Sequence, residues 1–284
     1  MTYIRRPEWL KIDFRSDNRF TEVSKTLHSH HLNTICSSGR CPNMAECWSR
    51  GTATFMILGN RCTRNCRFCN TETGHPLPPL ADEPQQLARS IAQMGLKHAV
   101  ITSVTRDDLP DQGAAHWAAC IRAVRQVNPN VTVEILVPDF GGKAELIDQV
   151  AETHPDIMAH NIETVRRLTP IVRSVATYDK SLQTLQHIAA HGLPTKSGLM
   201  LGLGETEDEI FQTMDDLLHV GCRRLTLGQY LQPSRRHYPV QAYIHPDKFI
   251  EYREVALEKG FHVAVSGPLV RSSYHADLFV DVTK

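Results

Sequence analysis

Residues 53–69 read Ala-Thr-Phe-Met-Ile-Leu-Gly-Asn-Arg-Cys-Thr-Arg-Asn-Cys-Arg-Phe-Cys, so that an apolar run passes directly into three closely spaced cysteines. The apolar part is short and ends at a glycine, which is typical of a buried strand. The cysteines, Cys62, Cys66 and Cys69, then fall in the loop after that strand. Thiolates at such short intervals can converge on one soft metal centre. The stretch therefore predicts a strand that carries a metal site at its carboxyl end.

Similar apolar runs recur along the chain, each separated from the next by a stretch with helical periodicity. With the first, they are Ala53–Gly59, His98–Val104, Val131–Val137, Ile157–Ile162, Lys196–Leu203 and Leu225–Leu231. One intervening helix begins with a capping-box pattern, Thr206 to Glu209. Continuous apolar strands joined by single helices predict a parallel sheet covered by helices. No glycine-rich dinucleotide motif follows the first strand, and the units are fewer than eight. The predicted fold class is therefore α/β, a partial (β/α)6 TIM-like barrel.

Both ends of the chain lie outside this repeat. We expect an N-terminal extension over residues 1–50, the partial barrel over 51–261, and a C-terminal extension over 262–284. The 31 basic residues balance the 31 acidic ones, so bulk charge does not favour nucleic acid or a membrane surface. No apolar run approaches the ~20 residues that span a bilayer, and the start of the chain lacks a signal-peptide pattern. We expect a soluble, cytoplasmic protein.

Cysteine usage points to metal chemistry. Six of the eight cysteines lie within residues 36–69, as a first trio of Cys36, Cys41 and Cys47 followed by the second trio described above. The remaining two, Cys120 and Cys222, are predicted to be small buried core residues. Structural zinc normally takes four ligands and each trio is one short, which favours iron–sulfur clusters over zinc or unliganded thiols.

The Cys-x3-Cys-x2-Cys motif after the first strand of a partial barrel resembles that of the radical S-adenosylmethionine (SAM) superfamily. The resemblance implies a [4Fe–4S] cluster on Cys62, Cys66 and Cys69. One iron of that cluster would bind SAM, and reduction would cleave SAM to methionine and a 5′-deoxyadenosyl radical. This motif by itself indicates the superfamily but does not indicate the substrate.

Two further segments resemble motifs of the lipoyl synthase family. They are residues 33–48, which hold the first trio, and residues 267–276, which contain Arg-Ser-Ser-Tyr. The resemblance implies an auxiliary [4Fe–4S] cluster on Cys36, Cys41, Cys47 and Ser273. It also implies that two sulfur atoms from this cluster are inserted at C6 and C8 of an octanoyl chain on a lysine. The alternatives are another sulfur-inserting or methylthio-transferring radical SAM enzyme, and a non-enzymatic zinc-stapled module.

The same resemblance implies the partners. The substrate would be an octanoylated lipoyl-carrier domain, either a 2-oxoacid dehydrogenase subunit or the glycine cleavage H protein. A low-potential electron donor such as flavodoxin or ferredoxin would reduce the clusters, and an iron–sulfur carrier would rebuild the consumed one. No nucleic acid or membrane partner is expected.

Candidate SAM contacts lie at the ends of predicted strands. Asn161 and Glu163 share one face by the period-2 rule and could bind the ribose hydroxyls or the methionine amino group. The alternative is that they are polar residues with a structural role behind the site. Gly202 and Gly204 would allow close approach of backbone to a ligand. By family resemblance, Phe68 would lie near the adenine.

Three other segments carry open alternatives. Residues 103–108, after the second strand, could reach cofactor or substrate. Arg235 and Arg236, after the sixth strand, could steer an acidic carrier protein or form an ordinary solvated loop. Ser272 and Ser273 read as a turn pair from the residues alone. A serine ligand would make the auxiliary cluster labile, because a hard alkoxide suits iron less well than thiolate does.

Overall fold

The chain folds into two compact units, each built from alternating strands and helices. A computed structural model describes residues 5–11, 17–274 and 276–279. The amino-terminal unit contains Asp13–Arg64 and Asn70–Met158. The carboxy-terminal unit contains Met1–Ile12, Asn65–Cys69 and Ala159–Lys284.

The amino-terminal unit begins with short helices and then adopts a regular strand–helix alternation. Its elements are α1 (Asn18–Ser29), β1 (Asn33–Thr34), α2 (Ile35–Ser38), α3 (Met44–Ser49), β2 (Thr54–Ile57), β3 (Arg61–Cys62), β4 (Glu72–Thr73), α4 (Glu83–Gln93), β5 (His98–Ser103), α5 (Ala114–Val127), β6 (Thr132–Leu136), a 3₁₀ turn (Phe140–Gly142), α6 (Ala144–Ala151) and β7 (Ile157–Ala159). The division between the units falls inside β7, after Met158.

The sheet of this unit is mainly parallel. Strands β2, β5 and β6 run side by side in parallel, and only the short β1 pairs antiparallel with β2. Phe55 of β2 is opposite Ile101 of β5, which in turn is opposite Ile135 of β6, and all three are essentially inaccessible to solvent. Helix α4 buries Leu87 and Ile91, which are four residues apart and so lie on one face of the helix. The β2–β5–β6 order brings the loops after these three strands to one edge of the sheet.

The carboxy-terminal unit continues the alternation. Its elements are a 3₁₀ turn (Glu8–Leu10), α7 (Thr169–Val172), α8 (Tyr178–Ala190), β8 (Thr195–Leu201), α9 (Glu207–His219), β9 (Arg224–Gln229), α10 (Pro246–Lys259), β10 (Val263–Gly267) and a 3₁₀ turn (Ala276–Phe279). Strands β8, β9 and β10 are parallel neighbours. The predicted capping box is present, since Thr206 Oγ1 accepts from Glu209 N (3.3 Å) and Glu209 Oε2 accepts from Thr206 N (2.8 Å).

The six predicted strands are confirmed in position, but one of them is shorter than its apolar run. Strand β7 ends at Ala159, although His160 N still donates to Lys196 O of β8 (3.1 Å), and the isolated bridge that follows pairs Glu163 with Leu199. Glu163 adopts a left-handed φ of 69°. The period-2 argument for Asn161 and Glu163 therefore does not apply, because these residues do not continue a regular strand.

The structure also contains a strand that the apolar runs did not predict. Strand β10 extends the parallel order beyond β9, although it falls in the segment expected to lie outside the repeat. Its apolar core is short, Val263 to Val265, and is followed by Ser-Gly-Pro, so periodicity alone does not detect it. The division at residues 50/51 and 261/262 stays a prediction.

Two simpler expectations are confirmed. Cys120 and Cys222 are both fully buried, as expected of core residues. Within the described ranges, no helix combines the length and the apolar character needed to cross a membrane.

Candidate active site

The first cysteine trio lies on two short helices of the amino-terminal unit. Cys36 is in α2, whose first turn is capped by Thr34, since its Oγ1 accepts a hydrogen bond from Ser37 N (3.2 Å). The chain then turns back, and Cys41 N donates to Cys36 O (2.9 Å). Cys47 follows in α3. Cys36 and Cys47 thus lie on two short helices, and Cys41 lies in the turn that joins them.

The three thiols of this trio affect one another through their charges. Burial raises the pKa of the Cys36 thiol, which is only 5% exposed. Burial, and then the charges of Cys36 and Cys41, raise the pKa of Cys47 to about 12. Three neighbouring thiolates in a buried setting repel one another and are stabilised when a cation neutralises them. The donor set therefore fits a metal centre.

Cys62 occupies a different environment, at the end of β3. Its Sγ accepts hydrogen bonds from the backbone N–H groups of Arg64 and Thr105, each at 3.4 Å. Thr105 belongs to the loop after β5. N–H groups directed at sulfur stabilise negative charge on it, as a cluster thiolate requires. The loop after β2 therefore directs one of its own N–H groups at the Cys62 sulfur, and the loop after β5 directs a second.

A buried arginine ties this loop to its neighbours. Arg64 donates from Nε to Asp107 Oδ2 and from Nη2 to Asp107 Oδ1, both at 2.8 Å, and also from Nη2 to Asp139 Oδ1 at 2.8 Å. Arg64 is 7% exposed and Asp139 fully buried. Burial alone lowers the pKa of Arg64, but the hydrogen bonds to the two carboxylates outweigh it and raise the pKa. We call Arg64, Asp107 and Asp139 the Arg64 clamp.

The clamp resolves part of the open question about residues 103–108. Thr105 and Asp107 face the cysteine loop, as described above. Arg106 is buried and turns elsewhere, donating to both carboxylate oxygens of Asp108 (2.9 and 2.8 Å) and to Leu58 O (3.3 Å). The hydrogen bonds from Arg106 lower the pKa of Asp108. These side chains thus hold loops of the protein in place.

Cys66, Phe68 and Cys69 belong to the carboxy-terminal unit. Cys66 Sγ lies 3.6 Å from Ser174 Oγ. Phe68 packs against a small apolar cluster that includes Leu203 and Tyr230, and the carbonyl of Cys69 is hydrogen-bonded to His237 Nε2 (3.0 Å). The side chain of Phe68 is therefore next to apolar surface, as a contact to an adenine ring would need. Its proposed role stays a prediction.

Asn161 and Glu163 lie in the irregular segment after β7. Asn161 Nδ2 donates to Ser272 Oγ (2.7 Å), while its buried Oδ1 has no hydrogen-bond partner among the described residues. Burial raises the pKa of Glu163, an effect that the charge of Arg173 partly offsets. A buried acceptor without a donor is costly, so Asn161 Oδ1 fits a site completed by a ligand with an N–H or O–H group.

The two glycines after β8 have left-handed φ values, 95° at Gly202 and 106° at Gly204. At Gly202 the close approach is to protein, because a Cβ there would clash with Gln229 Nε2 and Ala242 O. At Gly204, the nearest neighbour of such a Cβ would be the side chain of Gln241. The backbone conformation and the neighbouring protein atoms therefore explain why glycine occupies both positions. A cofactor contact at either glycine stays a prediction.

The carboxy-terminal motif forms the turn that its residues predicted. Tyr274 N donates to Arg271 O (2.9 Å), which places Ser272 and Ser273 at the two central positions of the turn. The chain just before it packs tightly against β9, where a Cβ on Gly228 would clash with Val270 O. His275 of the motif lies outside the described residues. Ser272 binds Asn161, so the two serines of the turn have different surroundings.

Comparison with known proteins agrees with this site. Residues 56–217 match the family model described as "Radical SAM superfamily". A lipoyl synthase from Bacteroides thetaiotaomicron is 60% identical over 274 residues, which cover 96% of this chain and 97% of the relative. A lipoyl synthase from Treponema denticola is 55% identical over 276 residues, 97% of this chain and 95% of the relative.

Solved structures share the fold at much lower identity. SuiB from Streptococcus suis, bound to the precursor peptide SuiA, has a TM-score of 0.60 at 10% identity; the match covers 87% of this chain, which spans about half (52%) of that one. Methylornithine synthase (PylB) has a TM-score of 0.53 at 12% identity, with 93% of this chain and 88% of that one covered. These likenesses confirm the predicted α/β fold class, the partial (β/α)6 TIM-like barrel.

The fold and the cysteine loop thus define a radical SAM protein, a class that uses SAM with a [4Fe–4S] cluster. Within that class, full-length identity of 55–60% is decisive, and the chain belongs to the lipoyl synthase family. Its membership confirms the predicted enzyme class, a radical SAM sulfurtransferase, and the predicted cofactors, two [4Fe–4S] clusters and SAM. A lipoyl-carrier domain as substrate partner follows from the same membership.

Sequence reasoning missed several residues that organise the site. Arg64 stood between two candidate ligands, but its acidic partners lie 43 and 75 residues further along the chain. Gly228 interrupts an apolar run, which is a signal for close approach of another backbone. Ser272 was assigned only as a turn residue, although Asn161 binds it. Except for Gly228, these roles leave no local signal in the sequence.

Proposed function

We propose that this protein inserts two sulfur atoms, at C6 and C8, into an octanoyl chain that is amide-linked to a lysine of a lipoyl-carrier domain. The observation that carries the proposal is the first trio, Cys36, Cys41 and Cys47, which adds a second group of neighbouring thiols, one of them buried, to that of the superfamily motif. Relatives named lipoyl synthase over nearly the whole chain support it.

We assign the cluster ligands by their positions in the motifs. Cys62, Cys66 and Cys69 would hold the cluster that binds SAM, and three thiols on one short segment leave one iron open for it. Cys36, Cys41, Cys47 and Ser273 would hold the auxiliary cluster. The N–H groups directed at Cys62 Sγ support thiolate ligation there, and the raised pKa values of Cys36 and Cys47 indicate that these two thiols need a bound cation to stay ionised.

When bound and reduced, the SAM cluster supplies the electron that converts SAM into methionine and a radical able to remove hydrogen from an unactivated carbon, and the auxiliary cluster supplies sulfide. The chain supplies binding, orientation and the exclusion of water. The partnerless Oδ1 of Asn161 would accept a hydrogen bond from SAM, and Phe68 would offer an apolar contact to its adenine. Glu163, Gly202 and Gly204 complete the proposed SAM contacts.

Ser273 would make the auxiliary cluster labile. Its alkoxide is a harder and weaker ligand for iron than a thiolate. A serine in this place would hold its iron less firmly than the three cysteines hold theirs, as a cluster that supplies sulfide requires. Its place in the turn after β10 leaves the serine on a short loop.

This chemistry requires two further partners, an electron donor and a protein that rebuilds the consumed cluster. A low-potential donor such as flavodoxin or ferredoxin would provide electrons, and an iron–sulfur carrier would rebuild the consumed cluster. The eight cysteines form no disulfide with one another in the described part of the chain, which suits a reducing compartment, so we place the reaction in the cytoplasm. We expect no nucleic acid or membrane partner, in agreement with the zero net charge.

The test is anaerobic reconstitution followed by turnover. Two cubane clusters predict about eight iron and eight sulfide per chain. About four of each would contradict the auxiliary cluster, and zinc without sulfide would contradict both. The reconstituted protein is then given an octanoylated carrier domain, SAM and a reductant. A mass gain that corresponds to lipoyl supports the proposal, whereas transfer of a methylthio group would indicate the alternative radical SAM function.

A further inference from the structure

The two hydrogen bonds to Cys62 Sγ come from different loops. Arg64 N lies two residues along the same loop, whereas Thr105 N lies in the loop after β5. Both remain at 3.4 Å from the sulfur only if the two loops keep a fixed relative position. Thr63 contributes to this, because its Oγ1 donates to Thr105 O (3.0 Å) and accepts from Asp107 N (3.1 Å).

The Arg64 clamp supplies the remaining connection. Its guanidinium binds Asp107 in the loop after β5 through two parallel hydrogen bonds, and Asp139 in the loop after β6 through a third. Asp139 Oδ1 also accepts from Gly141 N (3.0 Å), which holds it in place. The planar fork of an arginine can satisfy two carboxylates in fixed directions, and a lysine cannot reproduce this geometry.

We propose that the Arg64 clamp is a positioning device that tunes the reduction potential of the cluster bound through Cys62, by holding the Arg64 and Thr105 amides against the Cys62 sulfur. The inference rests on the proposed ligand role of Cys62. Hydrogen bonds to a cluster thiolate stabilise the reduced state, which carries one more negative charge, more than the oxidised state. The clamp therefore raises the potential and makes the cluster easier to reduce.

A second effect of the same residues acts in the opposite direction. The clamp combines one positive group with two carboxylates, so it adds net negative charge near Cys62. If charge acted only through space, loss of a carboxylate would favour the reduced cluster. If the clamp acts by positioning, loss of a carboxylate loosens the amides and disfavours the reduced cluster. The two explanations predict opposite signs for the same substitution.

The experiment uses the reconstituted holoenzyme and two variants, Arg64→Lys and Asp139→Asn. The potential is measured by a redox titration monitored by electron paramagnetic resonance, on the reduced-cluster signal that changes when SAM is added. We expect both variants to lower the potential. The ratio of reduced to oxidised cluster at a fixed potential should fall about tenfold, which is about 59 mV for a one-electron couple.

Arg125→Lys is the matched control. Arg125 also pairs with an aspartate of the amino-terminal unit, Asp156, at 2.6 Å. It lies at the other end of the strands, since it also donates to Val131 O just before β6. Its substitution removes the same kind of interaction far from Cys62, so the potential should not change.

Each outcome of the redox titration supports or contradicts the positioning role of the Arg64 clamp. A rise in potential in Asp139→Asn would overturn the positioning role in favour of charge acting through space. An unchanged potential in Arg64→Lys, with iron content intact, would also overturn it. If neither variant assembles clusters, Asp107→Asn takes their place, because Asp107 is a third exposed and less critical for folding; a smaller fall is expected, and no fall contradicts the inference. A wild-type protein without a SAM-responsive signal would instead contradict the cluster assignment itself.

Discussion

The Cys36–Cys47 segment and the Cys62 loop both supply thiols within the amino-terminal unit, but they hold them in different ways. Cys36 is buried in a helix, and burial raises the pKa of its thiol. Cys62 is partly exposed, and two backbone N–H groups donate to its sulfur. Burial therefore outweighs the hydrogen bonds from Thr54 at the Cys36 thiol, whereas at Cys62 two backbone N–H groups favour a negative sulfur.

This difference agrees with the different roles proposed for the two clusters. A cluster that transfers electrons repeatedly needs a stable site with a tuned potential, and the Cys62 loop provides hydrogen bonds for this. A cluster that is consumed must be released and replaced, and thiols whose raised pKa values disfavour the ionised form, together with a serine ligand, suit that use. Substitutions at the ligands of the two sites test this difference.

The largest effect is expected for Cys62→Ala. Loss of a ligand of the SAM cluster should reduce SAM cleavage to less than about 1% of the wild-type rate, since even changes around a metal ligand reduce activity about 10- to 100-fold. About four iron per chain should remain on the first trio. The measurement is 5′-deoxyadenosine formation together with iron content. Cys120→Ala, a change at a buried core cysteine, is the control and should retain both clusters.

Cys47→Ala should separate the two functions. Removal of an auxiliary ligand should abolish lipoyl formation while 5′-deoxyadenosine still forms at roughly the wild-type rate, because the Cys62 loop is unchanged. Chromatography of both products from one reaction provides the ratio. Equal loss of both products would show that the two sites do not act independently.

Ser273→Cys tests the lability of the auxiliary cluster. A fourth thiolate should bind iron more firmly, so the chelator-induced loss of iron should slow and lipoyl formation should fall about tenfold. Ser272→Ala, next to it in the turn, removes a hydroxyl that contacts Asn161 and should leave the rate of iron loss unchanged. If Ser273→Cys keeps full turnover, the lability argument is wrong.

The smallest effect is expected at the loop after β9. Arg235 and Arg236 are exposed there and could attract an acidic carrier protein. Their replacement by glutamine should raise KM for the octanoylated carrier about threefold to tenfold at low salt and leave a short octanoyl-lysine peptide unaffected. Equal losses on the two substrates would show that the arginines act on the reaction itself and not on carrier recognition.

Local patterns account for the parts of the fold that the sequence predicts well. The six apolar runs, the capping box at Thr206 and the cysteine-bearing loop after β2 all depend on residues close together in the chain. The errors occur where local patterns are weak. Strand β7 stops early because the chain bulges before Glu163, and β10 has too few apolar residues to be recognised.

The residues of the candidate site also fall into those that local sequence predicts and those that it does not. By itself, the sequence determined which residues could bind metal, because ligand types at short spacing are a property of neighbouring positions. Only the tertiary structure decided that Arg64 binds Asp107 and Asp139, and that Asn161 binds Ser272, 111 residues away. Each of these side chains has many chemically suitable partners in the chain. Which of them meet depends on the order of parallel strands and the loops that follow them, and that order is set by packing of the whole sheet.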